Sequence, residues 1–484
     1  HERGEEALDC FERMQSEGFS PNEVTFVCIL KACCSTCAIE NGRNIHNEIV
    51  AKGFLERNIV LGNALVDMYA KCDALVDAKQ VHGKLYMRDI VSWSSLITGY
   101  VQQRQYKEAL ECFENLQSED VSANEITFVS VLKACGSIGA INKGREIHDE
   151  ISRRGFLKKS DELGNALVDM YAKCGVLSKA QEVLEQLRAR SIVSWSSLIA
   201  GYAQHGRGQE ALNCFDLMKK EGLSPDVVTF MAVLKACANI GAIDKGKQIH
   251  DEIATLGLLN KDVVLGTALV DMYAQCGVFS QAKKVLNKLA DRNIVTWNAL
   301  IAGYAQQGQV DEAFECFECM QDEGLSPDAI TFLCLMNACS HSGLFDRAEN
   351  YFHDMRDKYG IMPNLEHYTC LVSIFGFGGN FGKAISVIKM MPFSDCRPVW
   401  LALLGGCRKW RYVKLGRLAF DQLMHLDNTC SAAYVLMANI YADAAMQEAV
   451  EEVEAMRLRY GVTRNPEVNS WVDASGYVHS FSIH

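Results

Sequence analysis

The chain repeats itself every 102 residues, and that period limits what it can fold into more than any other feature. Val24-Thr25-Phe26, Ile126-Thr127-Phe128, Val228-Thr229-Phe230 and Ile330-Thr331-Phe332 stand at one phase, and Trp93, Trp195 and Trp297 at another. The cysteines keep step. Cys33, Cys135, Cys237 and Cys339 form one series, Cys72, Cys174 and Cys276 a second, and Cys10, Cys112, Cys214 and Cys316 a third. Self-similarity at a fixed period marks a repeat array rather than one large core. A cysteine held at one phase among Leu, Ala and Val reads as a small apolar core residue, not as part of a disulfide or metal framework.

Each period divides into three helix-turn-helix units. In residues 192–226, Ile192-Val-Ser-Trp-Ser-Ser-Leu-Ile-Ala-Gly-Tyr predicts a first helix, His205-Gly-Arg-Gly a turn, and Gln209-Glu-Ala-Leu-Asn-Cys-Phe-Asp-Leu-Met a second helix. Ala211, Leu212, Phe215 and Met218 share one face of that second helix. Gly222 and then Pro225 supply the stop. The unit 227–262 places Val233, Leu234 and Cys237 inward, with Ile249 and Ile253 on the partner helix, and the unit 263–293 is shorter. A lone hairpin cannot bury its apolar face, but stacked neighbours bury it continuously. The expected fold is therefore all-α, a right-handed superhelical solenoid of helix-turn-helix repeats.

Unit lengths of 35, 36 and 31 in fixed rotation carry a resemblance. With them go Val131-Leu-Lys-Ala-Cys-Gly, Gly164-Asn-Ala-Leu-Val-Asp-Met-Tyr-Ala-Lys-Cys-Gly and the 192–202 segment quoted above. Together they resemble the plant pentatricopeptide repeat family, in its class of alternating standard, long and short motifs. The resemblance divides 1–396 into a partial standard motif at 1–22, then long 23–58, short 59–89, standard 90–124, long 125–160, short 161–191, standard 192–226, long 227–262, short 263–293, standard 294–328, long 329–364 and short 365–396. Val399-Trp-Leu-Ala-Leu-Leu-Gly-Gly-Cys and Ala433-Tyr-Val-Leu-Met-Ala-Asn-Ile-Tyr-Ala resemble two C-terminal extension motifs, at about 397–430 and 431–484. Alternation around Ser475-Gly476 predicts a small β-hairpin in the tail.

The resemblance implies sequence-specific binding of single-stranded RNA in a mitochondrion or chloroplast. Each standard or short motif would read one base through its fifth and last residues. A short amide or hydroxyl can offer donor and acceptor to a base edge. Carried over, Asn63 with Asp89 implies U, Ser94 with Asn124 A, Asn165 with Ser191 C, Ser196 with Asp226 G, Thr267 with Asn293 A, and Asn298 with Asp328 U. The long motifs have apolar fifth residues (Val27, Val129, Met231 and Leu333) and receive no base. The expected element is U-A-n-C-G-n-A-U-n, followed by an unassigned position at Thr369/Cys396, where Cys396 departs from the usual polar last residue. Second residues Val60, Val91, Val193, Val264 and Val295 would sandwich the bases, with Glu162 the misfit. Lys71 and Lys173 are the candidate phosphate contacts, and Gln275 stands at the third equivalent place. The bland alternative is that Asn, Ser, Thr and Asp at these places cap helices and form turns.

A net charge of −12 sits poorly with phosphate-driven affinity. Residues 397–484 contain nine basic and nine acidic side chains, so the acidic excess lies in 1–396. Family members often end in a zinc deaminase domain of DYW type with His-x-Glu and Pro-Cys-x-x-Cys motifs. His46-Asn-Glu48, His148-Asp-Glu150 and His250-Asp-Glu252 match the first motif but recur with the repeat. Cys34-Ser-Thr-Cys37 and Cys316-Phe-Glu-Cys319 match the second in spacing, yet neither follows Pro. No catalytic residue, metal ligand or cofactor is assigned. The first residues read as mid-helix, implying a start further upstream, and His484 falls about where a deaminase domain would begin. Three functions compete: a site-recognition factor for C-to-U editing with the deaminase supplied by a separate protein or lost by truncation, an RNA stability, splicing or translation factor, and a tetratricopeptide-like protein-binding scaffold.

Overall fold

A computed structural model describes residues 3–158, 160–259, 262–289, 292–392 and 396–462, and every regular element among them is helical. The hairpin expected around Ser475 lies outside the described residues. The chain divides into two compact units, 1–240 and 241–484. Within each unit the first helix of every motif packs on the first helix of the next, and second helices pack on their own first helix and on the one that follows.

The motif at 192–226 shows how the sequence makes a hairpin. Ser191 caps the helix Ile192–Gln204 in a capping box with Ser194. The second helix, Gly208–Lys220, buries Ala211, Leu212, Phe215 and Met218 on one face. It ends where Gly222 turns left-handed (φ +81°), which lets Leu223 N–H reach the Met218 carbonyl at 3.3 Å. Short motifs are short because their second helix is: Leu75–Lys84, Leu177–Gln186, Phe279–Lys288 and Phe381–Met390 have 10 residues, where the other second helices of the array have 13.

Stacking of first helices depends on one small-residue contact. A Cβ on Gly99, Gly201 or Gly303 would lie 2.5–2.7 Å from the Cβ of Ala70, Ala172 or Ala274 in the preceding short motif. Gly376 is the next member of that alanine series; the run Gly376-Phe-Gly-Gly reads from sequence as a loop between helices, and here the structure corrects that reading. Gly376 and Phe377 are the last residues of the helix Leu365–Phe377, not part of a loop. Glycine is needed at 406, in the helix Arg397–Lys409, where a Cβ would lie 2.7 Å from Gly376 backbone carbon, whereas a Cβ on Gly376 would stay 3.6 Å from Gly406 Cα.

The cysteine series behave as core with one exception. Cys33, Cys135, Cys237 and Cys339 are buried, as are Cys112, Cys214 and Cys316, while Cys72, Cys174 and Cys276 are half-buried. Cys10, on the helix Gly4–Ser16, is exposed. No described helix is long and apolar enough to cross a membrane.

Candidate functional site

The last residue of each motif proves to be the N-cap of the next first helix. Asn58, Asp89, Asn124, Ser160, Ser191, Asp262, Asn293, Asp328 and Asn364 each accept backbone N–H groups from the helix they precede. Asp226 does the same, accepting Thr229 N–H at 2.8 Å. This cap satisfies donors that the first helical turn otherwise leaves unpaired. It also holds in long motifs, to which no base is assigned, so capping alone accounts for a polar last residue. Cys396 supplies no side-chain cap to the helix Arg397–Lys409.

Capping fixes what the other end of each side chain can offer. Asn124 and Asn293 accept the cap bonds through Oδ1, so their NH2 groups are left for other partners. Asp226 and Asp328 accept through Oδ1 and keep a second carboxylate oxygen, an acceptor. The two residue types therefore present opposite hydrogen-bonding character from the same place.

The fifth residues lie directly beside these caps. Asn63 Nδ2 donates to both carboxylate oxygens of Asp89 at 3.1 and 3.0 Å. Ser94 Oγ is 3.3 Å from Asn124 Oδ1, Ser191 Oγ donates to Asn165 Oδ1 at 3.1 Å, and Asn298 Nδ2 donates to Asp328 Oδ1 at 3.0 Å. In the other two pairs a threonine stands between. Thr229 Oγ1 lies 2.6 Å from both Ser196 Oγ and Asp226 Oδ1, and Thr296 Oγ1 lies 2.8 Å from Thr267 Oγ1 and 2.9 Å from Asn293 Oδ1. Asn63, Ser94, Ser196 and Asn298 are buried between neighbouring first helices, and Asn165 and Thr267 are half-buried.

Second residues stand out in the opposite way. Val60, Val91, Val193, Val264 and Val295 are each half exposed or more, although they belong to otherwise well-buried helices. Val24, Ile126, Val228 and Ile330 of the long motifs extend the pattern, and the sequence marked them only as repeat positions, not as surface ones. Glu162 is the charged interruption. Lys71 and Lys173 are tied to Asp67 and Asp169 one turn earlier, at 2.8 and 2.7 Å, and Gln275 contacts Asp271 in the same way. Both lysines keep part of their surface in solvent.

The His-x-Glu histidines are structural. His46, His148 and His250 Nδ1 meet the hydroxyls of Tyr69, Tyr171 and Tyr273 at 2.9–3.0 Å, joining a long motif to the following short one. Burial lowers all three histidine pKa values and pushes the tyrosines up to about 12. Burial likewise raises the Cys316 thiol to about 12, so it holds its proton at neutral pH and is no nucleophile. Among the described residues no group of three His, Cys, Asp or Glu side chains is placed to hold a metal.

Comparison with known proteins finds repeat models and a C-terminal motif model in the chain. A PPR repeat family model matches residues 1–35, 88–137, 190–239 and 292–341, and a PPR repeat model matches 165–192, 330–359 and 366–396. An E motif model matches 410–473. One pentatricopeptide repeat-containing protein of Arabidopsis thaliana is 36% identical over 96% of this chain and 82% of its own length. A mitochondrial one is 34% identical over 99% of this chain and 73% of its own, and a chloroplastic one 35% identical over 98% and 58%. Among solved structures, the pentatricopeptide repeat protein PPR10 in complex with an 18-nucleotide psaJ RNA element aligns with a TM-score of 0.58 at 17% identity, over 96% of this chain and 73% of that one. That likeness is one of fold.

Proposed function

This chain belongs to the pentatricopeptide repeat family, in its class of alternating standard, long and short motifs with an E motif, and from that premise we propose that it binds single-stranded RNA sequence-specifically in an organelle. One observation carries the proposal: six polar fifth residues, each linked directly or through a threonine to a capping last residue, lie beside an exposed second residue, a valine in all but one. An unstacked base needs such a combination, an apolar surface for its face and oriented donors and acceptors for its edge. Capping explains the last residues without RNA. It does not explain why a fifth residue inside an apolar helix is polar in every standard and short motif and apolar in every long one. Chloroplastic and mitochondrial relatives support an organellar setting.

The expected target is the element U-A-n-C-G-n-A-U-n, and the expected role is site recognition for C-to-U editing. The E motif supports the editing role, since two further helix hairpins without base-reading pairs add nothing to a simple RNA clamp. Selection of bound RNA from a random pool tests the element directly, with a peptide library as the competing arm. Enrichment of peptides and no RNA would establish the scaffold reading instead. Asn298→Ser, with Asp328 kept, should shift the preference at that base from U toward G by about 1–3 kcal/mol, the scale of a good base-edge contact. Equal affinity for U and G in both proteins would remove Asn298 from the reading set. In the plant, loss of the protein should abolish conversion of one or a few cytidines. Altered transcript ends with every conversion intact would point to stability or splicing.

A further inference from the structure

We propose that the third residue of the following motif, serine or threonine, sets how stringently each fifth residue discriminates its base. The inference rests on the RNA-binding reading and deepens it.

The third residues are fully buried at 0% exposure, and they fall into two geometries. The threonine hydroxyls reach across to the preceding motif: Thr127 lies 2.8 Å from Ser94 Oγ, Thr229 2.6 Å from Ser196 Oγ, and Thr296 2.8 Å from Thr267 Oγ1. Thr331 Oγ1 lies 2.7 Å from Asn298 Oδ1. The serines turn back on their own helix start instead. Ser92 Oγ donates to the Asp89 carbonyl and Ser194 Oγ to the Ser191 carbonyl, both at 2.9 Å. A β-branched side chain has few χ1 wells, so its methyl and hydroxyl directions are fixed together, whereas serine is free to choose the nearby carbonyl.

Asn63 and Asn298 isolate the consequence, because both are asparagines donating to an aspartate. Thr331 Oγ1 lies 2.7 Å from Asn298 Oδ1 and 2.9 Å from Asp328 Oδ1, so its one proton serves these two acceptors and Asn298 Oδ1 has a partner. Asn63 Oδ1 is buried with no hydrogen-bond partner, since Ser92 points elsewhere. A buried acceptor left unpaired is costly, and a base that brings a donor relieves the cost. Uracil has a proton on N3, whereas cytosine has a bare acceptor there and carries its donor on N4 instead, so an acceptor that faces N3 tells the two apart. The Asn63 pair should therefore prefer U over C strongly. At the Asn298 pair the incoming N–H must share or displace a hydroxyl, so the preference is weaker.

Reciprocal exchange of the two third residues tests this in the full chain. Affinities are measured for the expected element carrying U or C at each of the two positions. Ser92→Thr should lower the U-to-C ratio at the Asn63 position, and Thr331→Ser should raise it at the Asn298 position, each by about fivefold to tenfold, the size of one net hydrogen bond. Each exchange should leave the ratio at the other position unchanged. A serine or threonine acting only in packing would move U and C affinities together, so unchanged ratios in the two variants overturn the proposal. Thr331→Ser removes a single methyl, and it decides the question alone if Ser92→Thr fails to fold. A parent chain that binds neither RNA defeats the RNA-binding reading itself, an outcome distinct from binding with unaltered ratios.

Discussion

The first helices of the repeat array and those of the C-terminal hairpins stack in the same way but begin differently. In the array, each first helix from Glu23–Thr36 to Leu365–Phe377 begins at Asn, Asp or Ser, and all but the two with Glu162 and Glu366 expose an apolar second residue. The helices Arg397–Lys409 and Ser431–Asp443 begin at Cys396 and Cys430 with no side-chain cap. Large apolar groups are exposed around them instead, including Trp410, Tyr412, Leu418, Leu458 and Tyr460. The glycine contact persists across the seam, with Gly406 on Gly376 where the array has glycine on alanine. On the proposed reading, helix stacking and base recognition are separable properties of one scaffold, and the C-terminal hairpins keep the first without the second.

Breaking the seam should have the largest effect. Gly406→Leu forces a side chain against Gly376 backbone, and overpacking of that kind costs about 3 kcal/mol. Hydrogen exchange should quicken across 397–459 while RNA affinity holds, and a parallel fall in affinity would show that the two regions are not separable. Acid should divide them next. His82 is 4% exposed, and burial lowers its pKa to about 4 from an ordinary 6.5. The unfolded chain takes up a proton below pH 6.5 that the folded chain refuses until about pH 4. Stability is therefore complete above that window and declines as pH falls through it. The array also holds His46, His148 and His250, shifted the same way, whereas His425 in the C-terminal hairpins is exposed. Urea unfolding at pH 7 and pH 5, followed by hydrogen exchange, should show the array weakening more than 397–459.

Val193→Glu reproduces the natural misfit at Glu162. It should weaken RNA binding by up to about 1.5 kcal/mol, the value of a valine surface lost, and leave thermal stability nearly unchanged because the position is exposed. Leu458→Ser in the C-terminal hairpins should leave RNA affinity alone. The smallest effect belongs to Lys71→Ala, which should weaken all RNAs equally and reduce the salt slope by about one, within the limit set by its existing ion pair with Asp67.

The period made most of the fold legible, since equivalent residues can be aligned by counting. Helix positions, the buried cysteine series and the Gly222 stop all follow from it. Counting shows which residues are alike but not which of them meet. The contact between Ser94 and Thr127 spans 33 residues and exists only once neighbouring first helices lie side by side. The burial of the fifth residues was hidden for the same reason. So was the helical place of Gly376, which looks like a loop residue until Gly406 is packed against it. The pairing of Asn63 with Asp89 was anticipated from a resemblance, and its hydrogen bonds give that pairing a physical form.

Because the last residue of a motif opens the next helix, its permitted alphabet is small. Asn, Asp and Ser are all good helix starters, and exchanging one for another alters the presented donor or acceptor while the helix still begins in the same place. On the proposed reading, a new target sequence is reached by substitutions among residues the fold already tolerates. An array of this design can diversify its targets through many small steps, none of which requires a compensating change in the core.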